Sequence, residues 1–136
     1  TMYDAFTMAK IRKSMVVPPL EGLKIPLTKS GSDKTLLVFY QPGCHNCEIQ
    51  MKELIENYPR LKANGVRVIS ISADMDKNTF EQEQKEFPWT DKLCDFKGFA
   101  GNNFMNYGVL GTPTFYLLDK DSKMIKRFAF FEDAKL

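Results

Sequence analysis

Cys44 and Cys47, two residues apart, are the side chains of this chain best suited to chemistry. That spacing lets two thiols close and reopen a small disulfide, and it also supplies half of a zinc site. His45, the only histidine, and Asn46 lie between them. An imidazolium there would stabilise a Cys44 thiolate and make the pair more oxidising, whereas a neutral, solvated histidine would do little. Both readings of His45 stay open at this level. Cys94 stands apart in a polar region. Its simplest role is a partly buried structural thiol, and the sharper alternative is a third redox cysteine.

Metal is disfavoured on donor count. A structural zinc ion takes about four nitrogen or sulfur ligands. Beyond the pair only Cys94 and His45 remain, and His45 sits between the cysteines, badly placed to join them on one tetrahedral ion. Asp74 and Asp76 are two acids after a strand-like run and fit helix caps and solubilising charges better than a cation site. The expectation is no metal and no organic cofactor, with the dithiol as the redox centre.

A second landmark is Gly111-Thr112-Pro113-Thr114, just before an apolar run. Proline at a strand start cannot donate to the ladder, and X-Pro bonds are the common cis peptides. Alone, Pro113 reads as an ordinary strand-entry proline. A cis bond would instead open the Thr112 backbone to an extended peptide.

These residues need elements to hold them. Leu36-Leu37-Val38-Phe39-Tyr40 reads as a buried strand ending four residues before Cys44. A helical pattern covers Glu48 to Tyr58, interrupted or kinked by Pro59 and ended by Asn64-Gly65. Cys44 then lies at a strand-to-helix junction, where the positive end of the helix favours thiolate. Val66–Ser72 is a second strand. Asp76 to Phe87 is a second helix, closed by Pro88-Trp89, with Trp89 a core or rim aromatic. Residues 90–111 are rich in Gly, Asn and Asp, with a short helix at Asn102–Tyr107. Thr114–Leu118 and Met124–Phe130 form two more strands about an Asp119–Lys123 turn, and Glu132–Leu136 starts like a helix. Upstream, Leu23–Leu27 suggests an edge strand and residues 3–15 a loose helix, broken by Pro18-Pro19. Strand, helix, strand, helix, strand, strand is an α/β order, with the first strands parallel and the last pair antiparallel. The domain expectation is an N-terminal extension, 1–19, helical in part, and one domain over 20–136.

Composition sets outer bounds. The 136 residues suffice for one domain with a real core, and 43% hydrophobic with 26% charged residues is globular. A net charge of +2 argues against nucleic acid, and Lys10, Arg12 and Lys13 form only a short basic cluster. Three cysteines do not make a disulfide scaffold. No apolar run reaches the ~20 residues of a membrane span. The chain opens on Thr1, which suggests a mature form or an excised domain.

Taken together, the strand with Cys-x-x-Cys at a helix start and the later Gly-Thr-Pro-Thr before a hairpin resemble the thioredoxin superfamily. Within it the chain is similar to TlpA/ResA-like thiol-disulfide oxidoreductases, through Leu36–Cys47, Val66–Asp74 and Tyr107–Lys120. The resemblance spans about Leu20 to Phe130. It implies a thioredoxin-like fold with a central mixed β-sheet flanked by helices. It implies that Cys44 attacks, Cys47 resolves and Pro113 is a cis proline beside them. His45, Asn46, Thr112 and Pro113 would modulate the pair, and Tyr40, Pro42 and Gly43 would help form a shallow docking surface. It implies protein disulfide substrates, an unnamed redox partner and an extracytoplasmic location facing the periplasm.

The chain departs from the family at three places. Gly43 stands where thioredoxins commonly carry tryptophan, Val38 where thioredoxin has a buried acid, and Gln50 where many ResA-like proteins have glutamate. Cys47 thus lacks its usual proton-transfer partner; Glu48 is close in sequence but faces another side of the helix. Competing readings are a weakly active thioredoxin-like module of a larger protein, a peroxiredoxin-like peroxidase and a Sco-like copper domain. Gln41 replaces the threonine that peroxiredoxins place before the attacking cysteine. The Sco pattern needs three residues between its cysteines and a distant histidine.

Overall fold

The computed structural model describes residues 10–136. Five strands form one mixed sheet in the order β3-β2-β1-β4-β5. They are β1 (Lys34–Tyr40), β2 (Val66–Ser72), β3 (Asp91–Cys94), β4 (Thr114–Leu118) and β5 (Met124–Phe128). The helices are α1 (His45–Ala63), α2 (Lys77–Gln84) and α3 (Asn102–Tyr107). β1, β2 and β3 run parallel, while β4 is antiparallel to both β1 and β5.

β1 lies at the centre, and its last six residues are buried, as expected for a strand covered on both faces. Alternation divides them. Leu37 and Phe39 point to one side, where Phe104 and Tyr107 of α3 join Ile11, Val17 and Leu20. Leu36, Val38 and Tyr40 point to the other, against Met51, Leu54 and Leu61 of α1 and Phe87, Trp89 and Phe131. Trp89 belongs to the core: it is stacked on Phe87 at 4.9 Å, and its indole N–H donates to Ser70 Oγ at 2.9 Å. α1 is therefore clamped on a sheet with two filled faces, and such interiors yield little.

Several elements differ from the sequence expectation for local reasons. α1 begins at His45 and runs unbroken through Pro59 to Ala63, held by the burial of Leu54 and Leu61 on either side of the proline. Asn64 caps it, and Gly65 follows at φ +76°. β3 falls in the stretch read as polar loop. It is a four-residue edge strand, charged as edges commonly are, and Arg67 on β2 anchors it through a two-point ion pair to Asp91 at 2.9 and 3.2 Å. Leu23–Leu27 is not a strand. Pro26 leads instead into a 3-10 turn at Leu27–Lys29, and Arg67 takes the Ile25 carbonyl at 2.8 Å. α2 is shorter than the pattern suggested.

The expected N-terminal helix falls mostly on residues 1–9, outside the described residues. Lys13 and Ser14 form a turn, with Ser14 at φ +68°, and residues 15–17 are not helical. Ser14 N–H donates to the Met124 carbonyl at 2.7 Å, Met124 N–H to Met15 at 2.9 Å and Val17 N–H to Ser122 at 3.0 Å. The segment thus adds a short bridge beside β5, and Ile11 and Val17 are buried.

Candidate active site

β1 delivers the chain to the site, and Gln41, Pro42 and Gly43 turn it into α1. Gly43 adopts φ +71°, a conformation glycine takes without strain. Cys44 then has extended backbone (φ −94°, ψ 112°) and is the N-cap of α1. Its sulfur accepts the Cys47 backbone N–H at 3.2 Å, and its carbonyl accepts the Glu48 N–H at 3.0 Å. The two-residue spacing has a structural meaning here. An N-cap side chain reaches the N–H of the third helical residue, and in this chain that residue is the second cysteine. A helix start favours negative charge on the capping atom.

The two thiols are free, and they sit in different surroundings. Cys44 is half-buried, while Cys47, one turn into the helix, is 1% exposed. Burial first, then the hydrogen bond and charge interaction with Cys44, pushes the Cys47 thiol from an ordinary 9.0 up to about 12. Two contacts pull the other way: the Thr112 hydroxyl and the Gln41 backbone.

The Gly111–Pro113 segment completes the pair from across the sheet. The Thr112–Pro113 bond is cis. Thr112 meets Cys44 twice: its carbonyl accepts the thiol at 3.8 Å, and its hydroxyl donates to the same sulfur at 3.8 Å. Pro113 is buried beside them, and Thr114 Oγ1 ties the turn to the Gly111 carbonyl at 2.8 Å. Beyond Pro113 lies a cleft of about 360 Å³ whose lining includes Thr114, Phe128 and Phe130. Phe130 is 54% exposed.

The other residues singled out from sequence separate into groups. His45 and Asn46 are exposed on the first turn of α1, Gly43 is exposed and Pro42 half-buried. Tyr40 is a correction: it is fully buried and cannot belong to a docking surface. As the last residue of β1 it points to the α1 side of the sheet and packs edge-on to Phe87 at 5.5 Å. Burial holds its phenol well above the ordinary range, against a smaller opposing contact from the Ser72 side chain. Asp76 caps α2: the Thr79 hydroxyl donates to it at 2.7 Å and the Thr79 N–H at 2.8 Å, and together they lower its carboxyl. Asp74 is buried rather than solubilising and accepts the Asp76 N–H at 2.9 Å. Cys94 is half-buried at the end of β3, donates to the Asp74 carbonyl at 3.3 Å, and has its thiol raised chiefly by burial. Glu48 is exposed, and its charge raises Glu83 on α2, after the larger effects of burial and Asp74.

Two residues named from the sequence act in ways it did not indicate. Gln50 is buried, and its side-chain oxygen accepts the Phe131 N–H at 2.7 Å. This clasps the cysteine-bearing helix to the C-terminal 3-10 turn, Phe131–Ala134. Nothing in the local pattern marks residue 50 as a partner of residue 131. Gln41 acts through its backbone, which no side-chain pattern records.

The fold, the adjacent Cys44 and Cys47 thiols and the relatives below define a thioredoxin-like thiol-disulfide oxidoreductase. The chain belongs to the AhpC/TSA family, whose model matches residues 9–130. It is 34% identical over 130 residues to the thiol-disulfide oxidoreductase ResA of Bacillus thuringiensis subsp. konkukian, covering 93% of this chain and 72% of that one. With the ResA of Bacillus cereus it shares 35% identity over 127 residues, 90% of this chain and 70% of that one. In fold it matches the C-terminal domain of a Bacteroides thetaiotaomicron protein at a TM-score of 0.79, with 23% identity and 93% of both chains covered. A thiol-disulfide oxidoreductase from Bacteroides fragilis superposes at 0.68, with 24% identity over 83% of this chain and 89% of that one. No helix among the described residues is long and apolar enough to cross a membrane.

Proposed function

We propose that the chain reduces disulfides in protein substrates, with Cys44 attacking and Cys47 resolving. The observation that carries this assignment is the asymmetry of the pair: Cys44 is reachable on the helix cap, and Cys47 is sealed behind it. The Cys44 thiolate attacks one sulfur of the substrate disulfide. A Cys44–substrate bond forms, and the other substrate sulfur leaves as thiolate and takes up a proton. Cys47 then loses its proton, attacks Cys44 and releases the second substrate thiol. The substrate gains two electrons, and the protein ends as the Cys44–Cys47 disulfide.

Thr112 and Pro113 line the contact with the attacking sulfur, and His45 and Asn46 set its solvent-facing side. Pro42, Gly43 and the cleft beyond Pro113 offer the docking surface. Residues 20–136 act as the catalytic domain, and 1–19 is its N-terminal extension. A dithiol donor returns the disulfide to the reduced state, and the reaction takes place outside the cytoplasm. Reduction of insulin disulfides by the wild type and by Cys44→Ser tests the core of this reading. Loss of activity in the variant supports it, and equal rates refute it. Labelling of the reduced protein in intact cells by a membrane-impermeant maleimide tests the location.

A further inference from the structure

The basic residues near the start of the chain meet a second basic segment in the fold. Ser14 and Met15 exchange backbone hydrogen bonds with Met124, and Val16 bridges Lys123, which lays Arg12 and Lys13 beside β5. The two segments wall a groove of about 290 Å³. Ile11 and Met124, both buried, and the half-buried Ile125 form its floor, and Arg12, Lys13 and Lys126 stand around it. No acidic side chain lines it among the described residues. β5 is the outermost strand of the sheet, and past Met124 its outer edge has no strand partner among the described residues. The groove also leads toward the thiols. Arg127 lines both it and the cleft beside Pro113, and Lys126 Nζ lies 6.0 Å from the ring centre of Phe128, a wall of that cleft.

An open sheet edge takes an extended peptide as an added strand, an apolar floor holds its alternate side chains, and a basic rim holds carboxylates. We propose that this groove docks an acidic, extended segment of the protein whose disulfide Cys44 attacks. Four residue steps separate Lys126 from Phe130 in the cleft, roughly 13 Å along a strand. The carboxylates of the substrate therefore lie about four to six residues from its reacting cysteine. The apolar floor and the strand edge favour a peptide over a lipid surface, which would meet the charges and leave both unused. This inference rests on the functional reading above and names the substrate class: proteins with an acidic run close to the disulfide in sequence. The exchange itself is unchanged. Cys44 bonds to the docked cysteine, the former partner of that cysteine leaves as thiolate, and Cys47 then releases the docked cysteine as thiol.

The test uses synthetic peptides whose single cysteine is held as a mixed disulfide with 2-thiopyridine, a neutral leaving group that absorbs light on release. One peptide carries a short block of glutamates about five residues from the cysteine. A second carries lysines there, and a third carries the glutamates beside the cysteine. Stopped-flow rates with the reduced protein are divided by those with dithiodipyridine, which is small, neutral and needs no groove. We expect the distant-glutamate peptide to react about tenfold faster than the lysine peptide in dilute buffer, the low end of electrostatic steering. The advantage should vanish in about 0.5 M salt, and most of it should be lost when the glutamates sit beside the cysteine. Arg12→Glu with Lys13→Glu, and separately Lys126→Glu, should reverse the preference. Arg12 and Lys13 are exposed, so changing them leaves the fold intact. Equal rates for the glutamate and lysine peptides, a preference unmoved by both variants, or one that is the same at either position overturns the proposal. So does binding of the wild type to anionic phospholipid vesicles without any peptide preference, which would assign the patch to a lipid surface. Cys44→Ser separates the two readings. Thiopyridine release that survives it sinks the functional reading, whereas Cys44-dependent release without a charge preference sinks only the groove.

Discussion

Cys47 should be among the least reactive thiols of the folded chain, and the size of the effect can be worked out. Its thiol is pushed from 9.0 up to about 12. At pH 8 a solvated thiol is roughly a tenth ionised, and one at 12 about one part in ten thousand, a ratio of about a thousand. Alkylation runs through the thiolate, so ionisation alone slows Cys47 by that factor, and 1% exposure slows it further. Replacing Cys44 by serine isolates Cys47 but also removes the Cys44 contributions, leaving burial, the largest cause. A clear suppression should survive, because burial is the largest cause. The assay is iodoacetamide labelling of Cys44→Ser at pH 8, followed by peptide mass spectrometry. The same variant unfolded in guanidinium supplies the reference. Cys47 labelling within tenfold of that reference would refute the claim that burial controls this sulfur.

The other consequences can be checked on purified protein. Because the folded Cys47 value lies above its unfolded one, the fold binds the proton more tightly, so stability is full below about pH 9 and falls as pH rises toward about 12. Urea midpoints across that window should fall more steeply for the wild type than for Cys47→Ala; equal slopes would argue against the shift. Gln50→Met should cost about 1–3 kcal/mol by leaving the buried Phe131 N–H unpaired, read from urea unfolding, and no loss would show the clasp to be slack. Gly43→Ala should cost about 1 kcal/mol from its φ of +71°, with open space around the new methyl, and a stabilised variant would contradict the strain. Tyr40→Phe removes a buried hydroxyl that makes no well-formed hydrogen bond and should leave the chemical midpoint unchanged or raised; a loss of about 2 kcal/mol would show that its contact with Ser72 is a hydrogen bond worth keeping.

The catalytic pair was legible because its spacing is local. Cys44 to Cys47 is the reach from a helix cap to its third residue, and sequence records short reaches directly. The central strands were legible because β1, β2 and β4 carry dense apolar runs that fit sites buried on both faces. What escaped depends on long-range partners. β3 has the polar composition of a loop and becomes a strand through pairing with β2 and the Arg67–Asp91 ion pair. Tyr40 was assigned to the surface through its nearness to Cys44, but strand alternation turns it inward. Gln50 looked like a missing acid, and in the fold it is an acceptor for a backbone group 81 residues away.

The surroundings of Cys47 also imply a timing in the exchange. Two of the effects that keep this thiol protonated come from Cys44 itself, through a hydrogen bond and through its charge. Both lapse once Cys44 is bonded to a substrate sulfur and becomes neutral. The resolving thiol is then easier to ionise at the moment resolution is required, and harder to ionise while Cys44 is free. This guards the reduced pair against premature reaction at Cys47 without needing a carboxylate. Capping Cys44 irreversibly with iodoacetamide mimics the bonded state. The Cβ carbon shift of Cys47, followed by nuclear magnetic resonance as pH rises, should then show a midpoint below that of the dithiol. An equal or higher midpoint would mean that burial alone governs Cys47 and that Cys44 imposes no timing on it.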